Sequence, residues 1–181
     1  MLLSFPLSLE TRWVPANVAP IFLQRVSSSL CSWLCEEGSL TARLKAHYTS
    51  FHVEVLSEKR CMPLPGLNTD LEKTKTPMWC REVLLWCDNQ PIVYAQSWIP
   101  EHVQEMTKLG NTPLGEVLFQ SPIWLRGDLQ LAKVNDTIHC LLDKLNLEKE
   151  EKYARRSEFS RGEHSILVCE VFLQEPKTWL V

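Results

Sequence analysis

From residue 50 onward the hydrophobic and polar positions alternate. Phe51, Val53 and Val55 face one way and His52, Glu54 and Leu56 the other, the period-two pattern of a half-buried strand. Residues 78–87 and 92–99 are denser apolar runs. Asp88-Asn89-Gln90-Pro91 between them is turn chemistry and Pro100 stops the second, so the pair predicts a hairpin. Residues 122–134 predict a further strand with Gly127 as a bulge. Residues 152–160 and 166–173 predict a closing hairpin across Ser160-Arg161-Gly162-Glu163.

Elsewhere apolar residues recur at helical spacing. Val26, Leu30 and Leu34, with Trp33 beside them, predict a helix over 21–35 that has ended by Gly38. Ser39 is placed to cap a second helix that buries Leu40 and Leu44. Val103, Met106 and Leu109 predict a helix over 101–109, and Thr112-Pro113 starts another that runs to about Phe119. Ile138, Leu142 and Leu145 predict an amphipathic helix over 136–150. Short turns force antiparallel pairing. The pattern therefore predicts an α+β fold, a single six-stranded antiparallel sheet with short helical hairpins between strands.

With 181 residues, 45% of them apolar and 23% charged, the chain suits one globular domain. A net charge of −3 advertises neither nucleic acid nor anionic lipid. The six glycines contain no G-x-G-x-x-G; Gly110 and Gly115 have phosphate-loop spacing, but Glu116 follows them and would repel phosphate. The longest uncharged runs, 13–24 and 89–100, are 12 residues each, short of the roughly 20 apolar residues of a membrane span. Residues 1–9 are apolar, but they lack a basic start and contain Pro6, so they read as a first strand or disordered start rather than a signal peptide. Seven cysteines without a C-x-x-C read as reduced thiols of a cytoplasmic protein. The five histidines form no H-E-x-x-H and no quartet with cysteine, so no metal is expected.

Charge in two apolar strands breaks the pattern. Arg81 shares a strand face with Trp79, Val83 and Leu85, and Glu82 shares the other with Met78, Cys80, Leu84 and Trp86. Either one sheet face is solvated or one of these charges lines a cavity. Glu170 has apolar neighbours on both faces of 166–173. An ionised carboxylate there needs a partner such as an arginine in the sheet, or a ligand cavity in which it meets a hydroxyl. Gly110-Asn111-Thr112-Pro113-Leu114-Gly115 leads into a helix start, whose free N–H groups either end as an ordinary capped loop or hold a carboxylate.

Several segments resemble the chorismate lyase family in order and spacing: Trp79-Cys80-Arg81-Glu82-Val83-Leu84-Leu85, Lys108-Leu109-Gly110-Asn111-Thr112-Pro113-Leu114-Gly115 with Leu118-Phe119, Arg155-Arg156-Ser157, and Cys169-Glu170-Val171-Phe172-Leu173. Ser39-Leu40-Thr41 aligns more weakly, and the resemblance spans roughly residues 25–175. It implies a single domain over 21–181 after an N-terminal extension over 1–20, with an insertion around 134–152 that forms an extra helix near a flap. The implied sheet has helical flaps, residues 20–48 and 101–119, covering an internal ligand site. The implied activity is a lyase without cofactor or metal that converts chorismate to 4-hydroxybenzoate and pyruvate, toward ubiquinone or plastoquinone. A monomer without a nucleic-acid partner or membrane span, inhibited by its product, is expected. Arg81 would grip the ring carboxylate, the backbone at Leu114 and Leu40 would line the site, and Glu170 would meet the ring 4-hydroxyl end, as general acid or base or only to orient the substrate. The fold is also similar to the effector-binding domain of some bacterial transcription regulators, so a non-catalytic protein that binds a small aromatic carboxylate is the alternative.

Overall fold

A computed structural model of the chain describes residues 3–18, 23–65, 67, 69, 71, 75–134 and 136–177. Its strands are β1 (Val14–Pro15), β2 (Phe51–Cys61), β3 (Met78–Cys87), β4 (Gln90–Pro100), β5 (Leu125–Arg126), β6 (Gln130–Val134), β7 (Lys152–Arg161) and β8 (His164–Phe172). They form one antiparallel sheet in the order β1-β6-β7-β8-β4-β3-β2, and β5 also pairs with β7.

The sheet has eight strands, not the six expected. The segment 122–134 divides because Gly127 turns its N–H to Glu158 O at 2.7 Å. Residues 126 to 130 then advance four positions while their partners move three, from Phe159 to Arg156, which is the expected bulge. Val14–Pro15 adds a two-residue edge strand. The β3–β4 turn places Asp88 at φ 47° and Asn89 at φ 63°, the left-handed pair that a two-residue hairpin requires and that Asn and Asp tolerate.

The α-helices among the described residues are α1 (Ser28–Leu34), α2 (Leu40–His47), α3 (Leu114–Gln120) and α4 (His139–Lys144), of which α1 and α4 are shorter than their apolar patterns predict. Ser27 starts α1 late by accepting the Leu30 N–H at 3.0 Å; residues 21 and 22 of the expected helix lie outside those described. Ser39 caps α2 as its sequence predicts, accepting from Ala42 N at 3.2 Å. Residues 101–109 yield only a 3-10 turn, Gln104–Met106, because Val103 and Met106 donate three residues back. At α3 the cap position belongs to Pro113, without a side-chain bond, rather than to Thr112. The stretch 136–150 gives a 3-10 turn, Asp136–Ile138, and α4; Asn146 at φ 53° then turns the chain out of the helix.

Alternation along β3, β4 and β8 separates two buried faces. The back face carries Met78, Cys80, Leu84, Tyr94, Trp98, Cys169 and Val171. It is covered by Leu7 and Leu9, by Leu67 and Leu71, and by Ile138, Leu141 and Leu142. The helix of the 134–152 segment thus lies on the face opposite the flaps, not beside one of them, because its apolar side matches the back core. Fully burying Leu141 and Leu142 contributes about 1.5–3 kcal/mol each. On the front face α1 and α2 cover one half through Trp33, Leu34, Leu40 and Leu44. Val103, Met106, Leu114, Leu118 and Trp124 cover the other half. All seven cysteines are unpaired, and Cys80, Cys87 and Cys169 serve as small buried residues.

Covering both faces buries both members of the Arg81-Glu82 pair, at 3% and 0% exposure. On the back face Glu82 Oε1 accepts from Leu7 N at 2.7 Å, Tyr94 Oη at 2.5 Å and Gln96 Nε2 at 3.3 Å. Gln96 Nε2 also donates to Leu7 O at 2.8 Å, so both backbone groups of Leu7 are tied to the sheet. Glu82 Oε2 has no partner among the described residues. Burial raises the Glu82 carboxyl above its ordinary value, against the pull of these donors.

A carboxyl raised in the folded state makes stability fall as pH rises from the ordinary carboxylate range through the folded pKa. Glu82→Gln keeps the accepting oxygen and removes the charge. It is expected to raise stability by about 1–3 kcal/mol at neutral pH, with the gain vanishing as pH falls toward 4.5. Urea unfolding of both proteins across pH measures this; a gain that grows on acidification would contradict it.

Candidate functional site

The middle of the front face is hollow because β4 carries small residues there. Tyr94, Gln96 and Trp98 point to the back, while Ala95 and Ser97 point to the front between Val83 and Leu85 of β3 and Val168 of β8. These side chains floor a cavity of about 30 Å³, room for a water molecule or two. The starts of α2 and α3 roof it through Thr41, Pro113, Leu114 and Gly115. A Cβ on Gly115 would stand 3.6 Å from Thr41 Oγ1, so the two helix starts approach closely. Lys45 of α2 and Glu116 of α3 join them with a 2.6 Å ion pair.

Arg81 marks one end of the cavity. It donates from Nη2 to Gly110 O at 2.6 Å and from Nη1 to Thr112 O at 3.1 Å. Gly110, at φ 53°, occupies the left-handed conformation that turns this loop. Glu58 Oε1 lies 3.2 Å from Arg81 Nε, yet Nε makes no hydrogen bond. Burial pushes the guanidinium below its ordinary value, and Glu58 opposes the shift.

Glu170 marks the other end. It lines the cavity, and it has an arginine in the sheet. Register places Arg155 of β7 directly across from it, and Arg155 Nε donates to Glu170 Oε2 at 2.6 Å. Arg155 Nη1 donates to Trp33 O at 3.1 Å and Glu36 O at 2.9 Å, where α1 ends. Arg126 binds the same turn through Glu37 O at 2.6 Å and holds Ser157 Oγ at 2.9 Å. Burial, then the charge of Arg155, pushes Arg126 below its ordinary value, with Glu170 opposing.

Arg81, Glu170 and Leu114, expected from sequence, therefore meet around one cavity. Leu40 stands one residue away: its side chain packs into the front core at 2% exposure, and Thr41 lines the cavity. Arg155, Thr41, Ser97 and Arg126 carried no assigned role in the sequence reading. The small Ala95 and Ser97 opposite bulky Tyr94 and Trp98 were the available sign of a hollow face. Among the described residues no cluster of three or more His, Cys, Asp or Glu could hold a metal ion, and no helix is long and apolar enough to cross a membrane.

The fold is shared with solved structures of low sequence identity. One is a GntR-family transcriptional regulator from Enterococcus faecalis, with TM-score 0.53 and 14% identity over 71% of this chain and 98% of that one. Another is the C-terminal domain of the histidine utilization repressor from Pseudomonas syringae, with TM-score 0.56 and 8% identity over 73% and 97%. Curated relatives are much nearer in sequence. A protein named probable chorismate pyruvate-lyase from Pseudoalteromonas translucida is 39% identical over 178 residues, 95% of this chain and 97% of the relative. One of the same name from Shewanella amazonensis is 36% identical over 180 residues, 94% and 91%. The sequence profile described as Chorismate lyase matches residues 11–180, and the chain belongs to that family.

Proposed function

We propose that this chain converts chorismate to 4-hydroxybenzoate and pyruvate in the cavity between Arg81 and Glu170. One observation carries the reading beyond family membership: a buried arginine and a half-buried carboxylate stand on the same sheet face across a largely apolar floor. They are two strands and two residues apart in register, about 12 Å between backbones at roughly 4.8 Å per strand and 3.4 Å per residue. Two side chains reaching inward across that span suit an aromatic ring with a carboxylate at one end and a hydroxyl at the other.

The chemistry follows from these groups. Arg81 offers the ring carboxylate a planar, directional grip that lysine cannot reproduce. The Leu114 N–H, in the first turn of α3 where a helix leaves its donors free, adds a neutral donor. Leu40, in the first turn of α2, approaches the same ligand through its backbone. Glu170 faces the hydroxyl end. In the reaction the C4–H bond breaks, its electron pair closes the aromatic ring, and the C3–O bond breaks. The enolpyruvyl group leaves, gains the proton and becomes pyruvate, so the two products contain all the atoms of chorismate. Aromatisation drives the step, and the protein holds the geometry and meets developing charge. The product keeps both polar ends that the site grips, so it is expected to inhibit.

Incubation of the purified chain with chorismate is expected to release equal amounts of 4-hydroxybenzoate and pyruvate; binding without turnover would instead leave a non-catalytic binding protein of the same fold. Arg81→Ala should weaken 4-hydroxybenzoate binding by about 10–100-fold, the loss of a charge-assisted pair, and Arg81→Lys should recover part of it. Titration calorimetry measures both, and an Arg81→Ala affinity within twofold of wild type would remove Arg81 from the carboxylate end. Glu170→Gln should lower turnover by about 10²–10⁴-fold, as for a lost general base. A loss within tenfold would leave Glu170 an orienting role and send the C4 hydrogen directly to the enolpyruvyl methylene.

A further inference from the structure

We propose that Arg155 is a positioning residue that fixes Glu170 as a hydrogen-bond acceptor and so makes the cavity select ring ligands with a donor opposite their carboxylate. The inference rests on the reading of the pocket given above and adds to it the residue that sets its selectivity.

Three features place Arg155 in this role. It is fully buried at 1% exposure, directly across the β7–β8 ladder from Glu170. Its Nε is the only one of its nitrogens bonded to Glu170 among the described contacts, reaching Oε2 at 2.6 Å. Its Nη1 is held by Trp33 O and Glu36 O, which fixes the plane of the guanidinium while Nε makes the contact to Glu170. A bidentate arginine would occupy the carboxylate. A single-point contact leaves Glu170 aimed and with accepting capacity toward the cavity that it lines.

This geometry decides what Glu170 can do for a ligand. A carboxylate held against a guanidinium accepts hydrogen bonds and does not offer a proton. A hydroxyl on the ring donates to it; a ring without a donor leaves the carboxylate facing apolar atoms, which is costly in a closed site. Arg81 grips the carboxylate of both kinds of ligand, so the difference between them reads the Glu170 end alone.

The test compares 4-hydroxybenzoate with benzoate by titration calorimetry in wild type, Arg155→Lys and Arg155→Met, and turnover in a cycle with Glu170→Gln. Wild type is expected to prefer 4-hydroxybenzoate by about tenfold or more, the worth of a hydrogen bond to a charged acceptor. In Arg155→Met the preference should fall to within threefold while benzoate affinity stays within threefold of wild type, and Arg155→Lys should restore part of it. Arg155→Met leaves Glu170 unpaired and can impair folding; the double variant Arg155→Met/Glu170→Gln carries neither buried charge. Because Arg155 acts through Glu170, the double variant should turn over no more slowly than Glu170→Gln alone. Losses that add, or an Arg155→Met protein that keeps the full preference, would overturn the proposal. Wild-type protein that binds neither compound would overturn the reading of the pocket and this inference with it, whereas a wild-type preference that survives in the variants overturns the role of Arg155 alone.

Discussion

Arg81, Arg155 and Glu170 stand on a sheet face that helical layers close off from water, and the surrounding structure meets their charges with protein groups. An unpaired ion in such a place costs several kcal/mol, roughly enough to remove a large share of a domain's stability. Arg155 donates to Glu170 and to the carbonyls of Trp33 and Glu36; Arg81 gives its terminal nitrogens to the carbonyls of Gly110 and Thr112. Those carbonyls belong to the turn after α1 and the loop before α3. The arginines therefore set the height of both roof segments above the sheet, and the residues that give the cavity its polar ends also determine how closely it is covered.

Most of the floor was legible in the sequence, because strand alternation and turn residues are local signals. The β3–β4 hairpin, the Ser39 cap and the Gly127 bulge all follow from a few neighbouring residues. The position of Glu170 in a cavity was one anticipated reading and an arginine partner in the sheet the other, but which arginine was not anticipated. The sequence places the last turn across Ser160–Glu163, whereas the pairing is closed by Arg161 and His164. Moving a hairpin turn by one residue moves every pairing by two. The earlier turn sets Arg155 opposite Val168; the observed one sets it opposite Glu170. A single position in a Gly-containing turn thus hid the ion pair at the centre of the site.

Long-range contacts explain the remaining differences. Helical patterns at 21–35, 101–109 and 136–150 are truthful about which side chains pack inward, some fully buried and others partly, yet the backbone turns out of the helix wherever a cap or a carbonyl acceptor competes. The choice between a solvated face and a buried charge at Arg81-Glu82 could not be made locally, because Leu7, which binds Glu82, is 75 residues away. The back face accepts Glu82 for the same reason that the front accepts Glu170: donors from a distant segment converge on it. The two solutions differ in charge. Glu170 faces a guanidinium, while Glu82 faces neutral donors and leaves one oxygen unpartnered.

In the proposed reading, a ligand carboxylate would draw on the same guanidinium as the roof loop. Arg81 has five N–H donors, of which Gly110 O and Thr112 O each take one, and its Nε, close to Glu58 but outside hydrogen-bond geometry, remains open. The cavity, at about 30 Å³, has room for a water or two, so the ring of the proposed substrate would fit only with the roof displaced. Parting at residues 110–113 frees the terminal nitrogens of Arg81 while the cavity is open to solvent, which is when a carboxylate needs them. Closing again requires the guanidinium to serve ligand and loop together, and its planar fork can do so where an ammonium group has only three donors on one atom. Glu58, one-third exposed, can turn toward water as a ligand carboxylate arrives at Nε. Under the proposed function, arginine at this position would serve two kinds of acceptor at once, the ligand below and the loop carbonyls above.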